Sequence, residues 1–69
     1  MLDKRRLESQ MRLNGDNGNT LSSYLGISRS TFSAKLNEHG AEFTKKEIQA
    51  IKTKYNLSAE QLEDIFFAS

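Results

Sequence analysis

The chain has 69 residues, with 10 Lys+Arg against 9 Asp+Glu and a formal net charge of +1. That length holds a single small domain, residues 1–69, and its 36% hydrophobic content supplies one modest core. The absence of cysteine excludes disulfides, thiolate metal sites and cysteine nucleophiles, and a lone histidine, His39, is too little for a histidine zinc site. No apolar run approaches the length of a membrane span, so the expected surroundings are reducing and cytoplasmic.

Valine, tryptophan and proline are missing, and no stretch alternates apolar and polar residues over strand length, so helices are expected throughout. The first helix is predicted from about Asp3 to Leu13, with Leu7 and Met11 on one face and an acidic residue at its positive end. The run Asn14-Gly15-Asp16-Asn17-Gly18-Asn19 consists of turn formers, and its spacing does not match a calcium loop. A second helix is predicted from about Asn19 to Leu25, stopped by Gly26. A third opens at Ser28 and runs to about Glu38, with Gly40 just beyond. The fourth opens on the capping box Thr44-Lys45-Lys46-Glu47, followed by the stripe Ile48, Ile51, Tyr55. The fifth opens on a second box, Ser58-Ala59-Glu60-Gln61, and carries Leu62, Ile65 and Phe66 on its stripe. Five short helices with short joints describe a compact all-α domain.

The joint between the second and third helices carries the functional signal. Ser22, three residues, Gly26, Ile27, four residues, Phe32, three residues and Leu36 form a spaced set. Ser22 is small enough for two helices to approach closely, and Gly26 permits a positive backbone angle at a sharp turn. Leu21, Leu25, Ile27, Phe32 and Leu36 supply the inner face. This spacing, over Asn17 to Asn37, resembles the helix-turn-helix of phage Cro and CI repressors, and Leu25 to Asn37 is especially similar to small Cro-type proteins. Two positions depart from that pattern. Ser22 stands where the family often has alanine, and Gly18 stands where it often has a phosphate-contacting glutamine.

The resemblance implies the lambda-repressor-like DNA-binding fold, with the helix-turn-helix over residues 19–38. It implies that the third helix lies in the major groove of operator DNA as the recognition helix. Its candidate DNA contacts are Ser28, Arg29, Ser30, Thr31, Ser33, Ala34, Lys35 and Asn37. Arg29 suits bidentate bonding to guanine, the serines single bonds, and Ala34 a thymine methyl. Candidate phosphate contacts are the backbone amides near Asn19 and Thr20 at one helix start, and Lys45 and Lys46 at another. Two lysines at a helix N-terminus oppose its dipole, which is consistent with service to an external anion. Lys4, Arg5 and Arg6 read as a solvated face.

Charge divides unevenly along the chain. Residues 1–54 hold all ten basic residues and six acidic ones, a net +4; residues 55–69 hold only Glu60, Glu63 and Asp64, a net −3. The acidic end should point away from DNA, toward a partner. Leu62, Ile65, Phe66 and Phe67 are the candidate interface, for a homodimer on DNA or for pairing with another phage regulator. The leading expectation is a sequence-specific regulator of transcription, a Cro-like repressor without catalysis, cofactor, metal or small-molecule ligand. The alternative is a protein-binding regulator, antirepressor or antitoxin-like, acting through the C-terminal helix.

Overall fold

The structure is a computed structural model that describes residues 1–68. Among these residues it contains five α-helices and no strand: α1 Lys4–Leu13, α2 Gly18–Leu25, α3 Arg29–Leu36, α4 Lys45–Tyr55 and α5 Ala59–Phe66. Local chemistry accounts for their starts. The Asp3 carboxylate accepts from the Arg6 amide, the Ser28 hydroxyl from Thr31, and the expected boxes Thr44/Glu47 and Ser58/Gln61 are both closed. Gly26 ends α2 in the left-handed conformation at φ 74°, as its position required.

Three helix boundaries differ from the sequence reading. Helix α2 begins at Gly18 because Asn17 forms its own capping box with Thr20. That box pairs asparagine with threonine, outside the usual Ser/Thr…Glu/Gln form. Helix α3 stops at Leu36, short of Glu38, because Glu38 turns left-handed at φ 53° while the His39 amide bonds back to the Ala34 carbonyl at 2.9 Å. Helix α5 stops at Phe66, and Phe67 leaves the helical path as its C-cap.

The core is shared by all five helices. Leu7, Leu21 and Ile51 are completely buried, and Phe32, Ile65 and Phe66 nearly so. Phe43, in the connection before α4, joins two of these groups: its ring stands edge-on to Phe32 at 5.8 Å and to Phe66 at 5.9 Å. Helix α2 packs on α3, and α1 on α5. The Asp3 amide donates to the Ile65 carbonyl at 2.6 Å, which binds the start of α1 to the end of α5. The radius of gyration is 10.8 Å, close to the roughly 11 Å of a globular chain of this length. No helix among the described residues is long and apolar enough to cross a membrane.

Candidate nucleic-acid interface

Helices α2 and α3 are joined by Gly26, Ile27 and Ser28 alone. The Ile27 amide reaches the Ser22 carbonyl at 3.0 Å, so the last turn of α2 closes directly into the joint. Ser22 is 4% exposed, and its hydroxyl returns to the Asn19 carbonyl at 3.1 Å. A larger side chain at Ser22 would have to find space in a filled core. From the other side Phe32 anchors α3 in the same core.

With Phe32 directed inward, Arg29, Ser30, Thr31 and Ser33 are exposed on α3, and Ala34 is half-buried. Ser28 and Thr31 are linked to each other: the Ser28 hydroxyl donates to Thr31 Oγ1 at 2.9 Å and accepts from the Thr31 amide at 3.1 Å. Both therefore serve first as the cap of α3. Ser30 and Ser33 are the small polar residues left to face outward.

Arg29 is exposed at the start of α3, but its side chain is held rather than free. Its Nη1 donates to Asn19 Oδ1 at 2.9 Å, and the guanidinium lies over Gly18. Asn19 thus contributes its side chain. Thr20 is a correction to the sequence reading: its amide is taken by Asn17 Oδ1 at 3.0 Å and its hydroxyl donates to Asp16 at 2.8 Å, so neither is open to a phosphate.

Two further candidates on α3 are committed elsewhere. Lys35 bonds both carboxylate oxygens of Glu47, at 2.6 and 2.8 Å, and both side chains are only 12% exposed. Glu47 simultaneously accepts from the Thr44 amide at 2.8 Å. Burial by itself would raise the Glu47 pKa, but the bonds from Lys35 and Thr44 outweigh it and hold the carboxyl below its ordinary range. Lys35 is therefore a strut between the last turn of α3 and the head of α4. Asn37 caps the end of α3, donating to the Ser33 carbonyl at 2.9 Å and accepting from Lys4 Nζ at 2.7 Å. Its amide group is spent within the domain.

Lys45 and Lys46 are exposed in the first turn of α4. The Lys35–Glu47 pair fixes that turn beside the end of α3. Arg29 thus stands against the head of α2, and Lys45 and Lys46 are exposed on the turn of α4 whose Glu47 is bonded to Lys35.

Asp16 was legible only as a turn residue, yet it is the second strut. Its carboxylate accepts from Tyr55 Oη at 2.7 Å and Thr20 Oγ1 at 2.8 Å, and Lys54 lies 3.4 Å away. Burial pushes the Asp16 pKa up, and these hydrogen bonds and the Lys54 charge bring it below its ordinary value. The same burial, with the Asp16 charge, pushes the Tyr55 hydroxyl well above its ordinary pKa. Lys54 also lies 4.8 Å from the centre of the Tyr24 ring.

At the C-terminal end the expected interface is corrected. Ile65 and Phe66 are core residues, 2% and 6% exposed, and Leu62 is half-buried against them. Phe67 alone of the four is open, at 60%. It lines a cleft of about 220 Å³ with Met1, Leu2, Phe43 and Ile48. Among the described residues no group of His, Asp and Glu is placed to hold a metal ion. No family model matches the chain, and no curated protein or solved structure is significantly similar to it.

Proposed function

We propose that the protein is a helix-turn-helix transcriptional regulator that binds operator DNA through α3 and acts as a Cro-like repressor, by occupying the site. The observation that carries this reading is the exposed face of α3, whose side chains are short and uncharged apart from Arg29 held at its start. An eight-residue helix is about 12 Å long, and the major groove is about 12 Å wide and admits one α-helix. Ser30 and Ser33 are short enough to let the helix backbone approach base edges, with Ala34 beside them. Arg29 supplies a donor pair suited to guanine. Lys45 and Lys46 meet phosphate and set the register.

A gel-shift titration against the DNA flanking the gene, alongside random duplex and across salt concentrations, tests this reading. Tighter binding to the flanking DNA, weakening steeply with salt, is the expected result. Equal binding to both duplexes would overturn it. One exposed reading head covers few base pairs, and the exposed Phe67 favours a second element of the proposal: two copies associate around this residue on adjacent half-sites. The competing reading, a protein-binding regulator acting through the C-terminal end, is favoured by the same residue. Phe67→Ser separates them. It weakens cooperative binding to paired half-sites if the protein reads DNA, and abolishes capture of a protein partner without touching DNA if it does not.

A further inference from the structure

The outer surface of α3 holds one side chain long enough to reach well beyond the helix, Arg29, and that side chain is already held. Its Nη1 is bonded to Asn19 Oδ1 at 2.9 Å. A Cβ at Gly18 would lie 2.6 Å from Arg29 Nε and 3.0 Å from Cζ, so the guanidinium occupies the space that any other residue at position 18 would fill. Gly18 is helical and its φ is ordinary; glycine is needed here for room alone. The location is electrostatically awkward: Gly18 is the first residue of α2 and Arg29 the first of α3, and a cation at two helix N-termini opposes both dipoles. The Asn19 carbonyl offsets part of that cost and fixes the side chain. A guanidinium carries five N–H donors, and the bond to Asn19 uses one, so an edge remains for an external acceptor pair.

We infer that Gly18 and Asn19 are positioning residues that preset Arg29 as the specificity-determining side chain of the domain. This rests on the proposed DNA-reading role and adds to it the means of discrimination. A free arginine must lose rotamer freedom when it reads a base; an arginine already clamped loses less, and that saving is available only for the base placed where the clamp points it. Gly18→Ala removes the space and Asn19→Ala removes the acceptor. Neither alters the core, because Asn19 is exposed and the displaced atoms at Gly18 are the far end of a flexible side chain.

The test starts with a duplex selected by the wild-type protein from a random pool. Affinities for that duplex and for random DNA are then measured for wild type, Gly18→Ala, Asn19→Ala, Arg29→Ala and the two double variants that include Arg29→Ala. Arg29→Ala should lower the specific-to-random ratio about tenfold or more. Gly18→Ala and Asn19→Ala should each lower it several-fold with the melting temperature unchanged, and should add nothing in the Arg29→Ala background. In the free protein the Arg29 Nε–H resonance should shift in both variants. An unshifted resonance, or ratios equal to wild type while Arg29→Ala loses discrimination, would overturn the positioning role and leave DNA reading intact. Failure to select any preferred duplex, with the resonance shifted as expected, would instead remove DNA reading and keep the clamp as a structural contact. If Gly18→Ala fails to fold, the exposed Asn19→Ala decides the same question.

Discussion

The outward positions of α3 hold Arg29, Ser30, Thr31 and Ser33, while those of α5 hold Glu60, Glu63 and Asp64, followed by an exposed Phe67. Both helices have eight residues, begin at a serine cap and bury a phenylalanine on their inner side. They diverge only where they meet solvent. On α3 the exposed side chains are short and neutral apart from one held arginine. On α5 the surface is acidic and ends in an aromatic ring. The same scaffold therefore presents one face suited to a polyanion and another that a polyanion would avoid, and this division accounts for a net charge of only +1.

The largest effects should come from the inner anchors, which the two helices share. Phe32→Ala and Phe66→Ala each remove a buried ring and should cost about 3–5 kcal/mol of stability, measured by urea unfolding. By contrast Phe67→Ala should stay within about 0.5 kcal/mol. Similar losses at Phe66 and Phe67 would mean that the exposed aromatic belongs to the core. On the outer face, Arg29→Ala should weaken binding to a selected duplex by about 1–3 kcal/mol and relax one base position. Glu63→Gln on α5 should leave that affinity unchanged. Lys45→Ala should weaken specific and random binding alike and lower the salt slope by about one, read from affinities at several salt concentrations. An unchanged slope would remove Lys45 from the phosphate contacts.

The smallest effect separates the struts from the exposed acids. Asp16 and Glu47 have pKa values below the ordinary 3.8 and 4.5, so their contribution is complete above those values. It is lost as pH falls through the lower, folded-state values, because the unfolded chain takes up protons first. Asp16→Asn and Glu47→Gln should flatten the acid limb of stability against pH. At the alkaline end the raised Tyr55 pKa has the opposite sense: its contribution is present below pH 10.0 and falls above it, as the unfolded tyrosine ionises first.

What was legible in the sequence follows the range of each interaction. Caps act over three residues, so Ser28, Thr44/Glu47 and Ser58/Gln61 marked three helix starts, and Gly26 marked one end. The Asn17/Thr20 box was missed because Asn17, a common cap, lies in a run of turn formers, and Thr20 is not the Glu or Gln that usually completes a box. On α5 helical periodicity marked the stripe Leu62, Ile65 and Phe66 but did not keep Ile65 and Phe66 out of the expected interface, which burial leaves to Phe67. The two struts were invisible because their partners are remote: Lys35 and Glu47 are 12 positions apart, Tyr55 and Asp16 are 39 apart. Periodicity places Lys35 on an outer flank and cannot show that a carboxylate from another helix waits there. Phe43 was missed for a related reason. It lies between helices, where no stripe identifies it as core.

The bond from the Asp3 amide to the Ile65 carbonyl has a consequence for how the domain assembles. Nearly the whole chain lies between these two groups, whereas α2 and α3 are neighbours in sequence. Closing a loop of that length costs roughly 1.5 kcal/mol more than closing one of about ten residues. The α2–α3 pair is therefore the natural early nucleus, and the seam between α1 and α5 the last to close. In the folded protein that seam is the natural first to open, so amide exchange at the start of α1 should outpace exchange within α3, and the α2–α3 pair should remain ordered while the ends of the chain part.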